Sequence, residues 1–465
     1  MSFSGVSFLF AYLPVLLLCY YVIPRLFGKR KITAENAVLL IGSIVFYAWG
    51  QGLVVIVLIG YWLFNHFIAL KLDKDSRLKK PLLIVTVAVD LLGLFIYKYL
   101  NFVLDLISRI SGLNIQPLIP VLPVGISFFT FLSLSYILDV YNGKVSASKD
   151  PLKTGLFITM FPTILSGPIN RYENVEKVFD ERKVSGEDFY NAVRKFLFGL
   201  IKKVLIADTL SIVADRIFEH VNAGYDTAVS LAWLGAIVYT LRIYYDFSGY
   251  SDMAIGLGRM FGFEIPENFN YPYISSSVKE FWRRWHISLS SWFKDYVYIP
   301  LGGSRRGNAR TYINLFIVWL LTGIWHGAGL TFIVWGLMYF LVLSLERLTG
   351  CGVKWKLPKA LGVLYTMIVV TVGWVIFRAP TLTDAYRFIR RMIGLNVSGL
   401  WDAYTTHYIL NNVLLLVISI IFATPVMKKL DKCKWLTDLI LSILFLISIV
   451  YTVKSGYSPF IYFSF

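Results

Sequence analysis

The side chain best placed for chemistry is His326. It is the one residue titrating near neutrality in the uncharged apolar run Thr311–Leu345, and it sits in Gly323-Ile324-Trp325-His326-Gly327-Ala328-Gly329, where three glycines fall within seven residues. As one straight helix that run would measure roughly 50 Å against a hydrocarbon core of ~30 Å, so the chain must break inside it, and the glycines mark the place. Irregular backbone at membrane depth is tolerated only where it is buried in protein or lines a wet cavity, which puts His326 at a cavity wall. A lone histidine in an apolar segment is more often a packed core residue, but the glycine-flanked break favours a functional one. A neutral imidazole there is suited to general-base work on a hydroxyl.

A second set of chemical groups lies between Tyr245 and Arg310, where the composition turns aromatic, glycine-rich and basic together. Ser277-Val278-Lys279-Glu280 has capping-box spacing and predicts a helix start. Continued as one helix, it aligns Trp282, Trp285, Leu289, Trp292 and Tyr296 on one face and Lys279, Arg283, His286 and Ser290 on an adjoining stripe, up to the stop at Pro300 and Gly302-Gly303. This pattern suits first an interfacial amphipathic helix lying on anionic lipid, with a basic-aromatic surface for an anionic acyl donor as the sharper alternative. Arg242 and Asp246, four residues apart, are expected to form an ion pair; Asp139 reads as a solvated span-end residue, and Asp90 must be paired or wet. A G-x-S-x-G elbow, a Walker loop, an H-E-x-x-H helix and a glycosidase-type carboxylate pair are absent, and Gly256-Leu257-Gly258-Arg259-Met260-Phe261-Gly262 lacks dinucleotide-loop spacing.

The elements that must position these groups are membrane spans. The chain has 465 residues, 57% hydrophobic and only 16% charged, yet a formal charge of +17. That is too apolar for a soluble multidomain protein, and collagenous, disordered and disulfide-stapled classes are excluded as well. Cys19, Cys351 and Cys433 have no paired spacing, so neither a disulfide framework nor a metal knuckle is indicated, and no metal is expected. In a polytopic chain the basic excess reads as cytoplasmic-loop bias, not as nucleic-acid binding. Val6–Ile23 reads as a retained first span instead of a signal peptide. Basic clusters at Arg25–Lys31 and Lys71–Lys80 place the N-terminus outside, with a hairpin turn at Gly50-Gln51-Gly52.

Further spans are expected near Pro81–Leu104, Ile119–Val140, Phe196–Phe218, Val229–Tyr245, Ala360–Phe377, Tyr408–Met427 and Leu439–Val453, with a re-entrant dip at Leu156–Pro168. Around Ala360–Phe377 the charge rule conflicts with itself, because Lys354, Lys356 and Lys359 precede the span while Arg378, Arg387, Arg390 and Arg391 follow it. The expectation is an all-α polytopic membrane protein of about eleven transmembrane helices plus re-entrant segments. It forms a single membrane-embedded domain, 1–465, with a motif-bearing core at about 120–345 and terminal spans at 1–119 and 346–465.

Four blocks in order, Tyr245-Asp246-Phe247-Ser248-Gly249-Tyr250-Ser251-Asp252-Met253-Ala254, Phe281-Trp282-Arg283-Arg284-Trp285-His286-Ile287-Ser288-Leu289-Ser290, Asp295-Tyr296-Val297-Tyr298-Ile299-Pro300-Leu301-Gly302-Gly303 and Gly323-Ile324-Trp325-His326-Gly327, resemble the signature blocks of membrane-bound O-acyltransferases. Within that superfamily they are most similar to the bacterial branch containing the alginate O-acetyltransferase membrane subunit. The resemblance implies a central tunnel in which an acyl group from the cytoplasmic side meets an acceptor hydroxyl reached from the other face. It implies His326 as the catalytic histidine and His286 as a second one toward the cytoplasmic side. Asp246, Asp252, Arg283, Arg284, Trp285, Lys294, Asp295 and Trp325 fall in or beside the blocks and take donor-binding or tunnel-lining roles by the same implication.

The reading is therefore an O-acyltransferase, most consistent with an O-acetyltransferase, in the bacterial cytoplasmic membrane. It would use acetyl-CoA or another acyl thioester, including an acyl carrier protein, as substrate and bind no resident cofactor. Its partners would be membrane lipid, a polysaccharide acceptor and an extracytoplasmic transferase or relay protein, with no nucleic acid. Two other readings stand beside it: D-alanyl transfer to teichoic acid from a carrier protein, and a proton-linked transporter or channel using His326 and Arg242. Lys279, Arg283, Arg284, Lys294, Arg305, Arg306 and Arg310 concentrate on the approach to the Gly323–Gly329 break, as a docking surface for an anionic donor would.

Overall fold

A computed structural model describes residues 2–74, 77–118, 121–350, 358–426 and 433–455, so Cys351, Lys354 and Lys356 lie outside the described residues. Among those residues every regular element is helical. Six helical stretches are long and apolar enough to cross a membrane: Phe8–Leu72, Lys79–Lys98, Leu330–Thr349, Lys359–Arg378, Ala403–Phe422 and Lys434–Lys454. The first, at 65 residues, far exceeds one crossing and folds into three helices, α1 (Leu13–Val22), α2 (Lys31–Gln51) and α3 (Val55–Leu72). The chain is a multi-pass membrane protein.

It divides into two compact units. The first holds Met1–Leu197 and Tyr250–Glu267. In it α2 ends at Gln51, and Gly52 takes φ +56° to reverse the chain into α3, as the Gly-Gln-Gly spacing predicts. Next come α4 (Lys79–Lys98), α5 (Leu100–Ser111) and α6 (Ile126–Tyr141). Asp90 of α4 is buried and accepts a hydrogen bond from Asn65 Nδ2 of α3 at 3.1 Å, so this intramembrane carboxyl is paired. Asp139 is not the solvated boundary residue that its span-end position suggests. Its side chain is 1% exposed and it pairs with Lys144 at 3.1 Å, because the turn after α6 folds the lysine back over it. The re-entrant expectation falls on α7 (Pro151–Thr159), capped by Asp150 accepting from Leu152 N, and α8 (Phe161–Ile164). Met160 breaks the two apart, and both are buried in this unit. A short α9 (Tyr172–Val175) follows. α10 (Gly186–Ile201) runs on into the second unit.

The second unit holds Phe198–Gly249 and the described residues from Asn268 onward. It contains α11 (Asp208–Asn222) and the first part of α12 (Val229–Met260), a helix of 32 residues whose last turns belong to the first unit. Then follow α13 (Val278–Arg284), α14 (Ile287–Phe293), α15 (Asn308–His326), α16 (Leu330–Thr349), α17 (Lys359–Arg378), α18 (Leu382–Met392), α19 (Ala403–Phe422) and α20 (Lys434–Ser455). The predicted ion pair within α12 does not form. Asp246 pairs with Lys203 at 2.7 Å, while Arg242 and Arg378 both donate to Asp215 of α11. Neighbouring helices thus offered better-placed partners than the i, i+4 position did.

The long apolar run Thr311–Leu345 breaks where the glycines predict. α15 ends at His326, extended backbone at Gly327 and Gly329 turns the chain, and α16 returns packed along α15. Their approach is close enough that a Cβ on Gly336 would stand 2.4 Å from the Trp319 carbonyl oxygen, and one on Gly323 2.5 Å from the Phe332 carbonyl oxygen. Gly336→Ala must push the hairpin apart and should cost on the order of 1–3 kcal/mol, lowering the melting temperature in detergent. Gly329→Ala meets only ordinary contacts, the nearest at 3.4 Å, and should melt close to the unaltered protein.

Candidate active site

The site grows from two interruptions of helix, both in the second unit. The first lies between α13 and α14. Ser277 caps α13 as the spacing predicts, its Oγ accepting from Glu280 N at 3.1 Å. Glu346 at the end of α16 adds acceptors for the amides of Val278 at 2.7 Å and Lys279 at 3.0 Å, satisfying orphan donors of the first turn. Glu280 accepts from Ser276 N and from Arg284. Partial burial raises its pKa, but these hydrogen bonds outweigh burial and leave it below the usual glutamate value.

The single amphipathic helix expected through Tyr296 is not formed. α13 stops at Arg284, His286 takes φ +45°, α14 begins at Ile287, and a π-helical turn covers Lys294–Tyr298. A non-glycine residue in that left-handed region costs about 1–2 kcal/mol, so the break must be held from outside. Asn268 holds it. Its carbonyl accepts from Ile287 N at 3.0 Å, and its Oδ1 accepts from Ser288 N at 3.1 Å and Ser288 Oγ at 2.9 Å.

The break sends the aromatic residues to different neighbours. Trp282 packs against Trp319 and Tyr339, with centroids 4.9 and 4.8 Å apart, whereas Trp285 packs against Phe269 and Trp374 at 5.0 and 4.9 Å. His286 is therefore not on an exposed basic stripe; it is 1% exposed, edge-on to Phe247 at 4.6 Å. Its Nδ1 lies 3.3 Å from Asn268 Oδ1. That oxygen already accepts a backbone N–H, so Nδ1 must donate and the lone pair falls on Nε2.

The second interruption is the hairpin turn after α15. His326 is 5% exposed, boxed edge-to-face by Trp325 at 4.9 Å, Trp335 at 4.9 Å and Phe377 at 5.2 Å. Trp325 also meets the His286 ring at 6.0 Å, so one indole bridges the two histidines. The structure thus brings together His286, Trp325 and His326, with Trp285 joined to the same cluster through Trp374, which stacks on Trp335. The remaining predicted site residues have other surroundings. Asp246 is bound to Lys203 as above, and Arg284 is tied to Glu280 at 2.8 Å. Asp252 belongs to the first unit and pairs with Lys195 at 2.8 Å. Arg283 and Lys294 are exposed, and Asp295 is half-buried in the π turn.

Sequence reasoning missed Asn268, Trp335, Trp374 and Phe377. Trp374 and Phe377 lie three residues apart on α17 and Trp335 and Tyr339 four apart on α16, a spacing that shows a shared face but not what the face meets. Among the described residues no cluster of His, Cys, Asp and Glu could hold a metal ion.

Residues 43–383 match the membrane-bound O-acyltransferase family. The chain belongs to this family. It is 39% identical to the probable alginate O-acetylase AlgI of Pseudomonas putida over all of both chains. It is 32% identical to the peptidoglycan O-acetyltransferase of Helicobacter pylori, covering all of this chain and 97% of that one. Similarity to the teichoic acid D-alanyltransferase of Bacillus subtilis is 30% and covers 55% of this chain and 67% of that protein. This chain is an O-acyltransferase, and the blocks on which the resemblance rested all lie within the matched span.

His286 of this acyltransferase lies outside the six candidate spans, and burial lowers its pKa from 6.5 to about 3, so it is neutral at pH 7. The unfolded histidine titrates near 6.5, so the stability of the buried neutral ring is complete above that pH and is lost as pH falls toward 3. His286→Gln should flatten the acid limb of a melting-temperature profile between pH 6.5 and 4 while leaving the alkaline limb unchanged.

Proposed function

We propose that this O-acyltransferase moves an acetyl group from a cytoplasmic acyl thioester to a hydroxyl of an extracytoplasmic polysaccharide, or to a relay protein serving one, across the bacterial cytoplasmic membrane. About eleven crossings with re-entrant pieces would enclose the tunnel that joins the two substrates. The observation that carries the reading is the pair of buried histidines at two helix breaks, linked by Trp325. His326 takes the proton from the acceptor hydroxyl as its oxygen attacks the thioester carbonyl. The tetrahedral intermediate collapses with loss of thiolate, and the imidazolium returns the proton to the sulfur. The aromatic box around His326 excludes water, which limits competing hydrolysis and strengthens electrostatic interactions at the reacting atoms. His286, held as the Nδ1–H tautomer by Asn268, positions the donor.

The exposed side chains of Lys279, Arg283, Lys294, Arg305 and Arg306 support docking of an anionic donor, through either the phosphates of coenzyme A or an acidic carrier protein. Full-length similarity to two O-acetylating proteins supports acetyl as the group moved; D-alanyl transfer, whose protein matches over 55% of this chain, is the second reading.

His326→Ala should insert and melt normally in membranes but lose about 10²–10⁴-fold in acyl transfer from labelled acetyl thioester. Full transfer by that variant would remove His326 from the chemistry, and labelling from D-alanyl carrier but not from acetyl thioester would favour the second reading.

A further inference from the structure

α17 is a candidate span of 20 residues, about 30 Å long, and its two ends have separate surroundings. At its start Gly362 lies against Ser276, beside the α13 cap made by Glu346, and Arg347 reaches Asn308 at the start of α15. The exposed basic residues Lys279, Arg305 and Arg306 belong to this end. At its other end Phe377 touches His326, Arg378 lies 4.0 Å over the Phe218 ring, and Phe388 of α18 stacks on Phe218 at 4.2 Å. A crossing helix cannot have both ends on the cytoplasmic face, so one basic flank runs against the positive-inside tendency. The donor-facing loops account for the first flank. Arg387, Arg390 and Arg391 on α18 need another explanation.

These three guanidinium groups line one cavity of about 460 Å³ between the end of α11 and α18, together with Asn222, Tyr386 and Asn396. No acidic side chain is among its lining residues. Arg391 is 6% exposed, and its Nη1 donates to Val221 O at 2.6 Å and Thr227 Oγ1 at 2.7 Å. Its Nε, like that of Arg390, is buried with no acceptor among the described residues. Arg387 donates to Asn222 O at 2.9 Å, and its ion pair with Asp384 is 3.5 Å long. Burial, and then the neighbouring Arg387 charge, lower the Arg391 pKa, with Asp226 acting in the opposite direction. Buried N–H donors and three like charges facing one cavity call for an anion with several acceptor oxygens.

The place of the cavity in the chain bears on which anion is at hand. It lies between the end of one candidate span, at Arg378, and the start of the next, at Ala403. The chain around it carries exposed aromatic rings: Tyr386 at its rim, Tyr225 on the loop after α11, and Trp401 and Tyr404 at the start of α19. Val229 N to Gly399 O at 3.1 Å and Ser230 Oγ with Thr405 Oγ1 at 2.8 Å tie the start of α12, just after that loop, to the start of α19. Exposed Tyr and Trp at span ends mark headgroup level, and a basic pocket at that level is suited to a lipid headgroup.

We infer that the α11–α18 cavity binds the phosphodiester headgroup of an anionic phospholipid, its oxygens accepting from Arg387, Arg390 and Arg391. The lipid neutralises the basic flank and anchors α18 over the end of α17, next to the His326 box.

The test uses the purified full chain, delipidated and titrated with phosphatidylglycerol, phosphatidylcholine, inorganic phosphate or a uronic-acid oligosaccharide, read by native mass spectrometry and by melting temperature. Phosphatidylglycerol should bind and raise the melting temperature, with phosphatidylcholine at least 10-fold weaker and millimolar phosphate failing to displace it. Arg387→Gln/Arg390→Gln should weaken phosphatidylglycerol binding at least 10-fold, melt like the unaltered chain in phosphatidylcholine, and recover part of the affinity as the double Lys variant. Equal retention of the two lipids, unchanged affinity in the Gln variant, or displacement by phosphate or by the oligosaccharide would overturn the assignment.

Discussion

The close approach of α15 and α16 is the contact on which the site depends. Glycines at 323 and 336 let the two helices meet where any Cβ would collide with a carbonyl oxygen, and the turn between them ends one helix at His326. An apolar run too long for one crossing must reverse somewhere, and reversing there puts an ionisable ring at the tip of a tightly packed hairpin instead of on a lipid-facing surface. The aromatic box then follows. Trp325 comes from the outgoing helix, Trp335 from the returning one, and Phe377 from α17 beside it.

The second histidine is reached by a different device. His286 sits in a backbone conformation that L-residues avoid, and Asn268 supplies a carbonyl and a side-chain oxygen to the amides that the break exposes. One asparagine thus stabilises the break, orients the imidazole and sets its tautomer. Glu346 does comparable work at the start of α13, where its carboxylate takes two backbone amides from 68 and 67 residues away in sequence. Both histidines are therefore placed by polar side chains and helices far along the chain, a common means of holding a site rigidly.

Charge is organised in the same non-local way. Arg242 and Asp246 share a helix and the spacing of an ion pair, yet Asp246 pairs with Lys203 and Arg242 with Asp215 of α11. Asp215 consequently gathers Arg242 and Arg378, joining α11, α12 and α17 at one end of the second unit.

The membrane class, the hairpin break at Gly323–Gly329 and the Ser277 cap were legible in the residues alone, because each depends on local quantities: apolar run length, glycine spacing and a hydroxyl beside its own helix. The family, too, was legible in four short blocks. What the sequence could not decide was where His286, Trp282 and Trp285 point. Helical periodicity carries them onto shared faces, and only the long-range hydrogen bonds of Asn268 show that the periodicity stops at Arg284. Partner choice for Asp246 and Arg242, burial of Asp139 and the arginine-lined cavity beside α18 are tertiary for the same reason. Each depends on which distant helix arrives, and sequence spacing specifies only the neighbours along one helix.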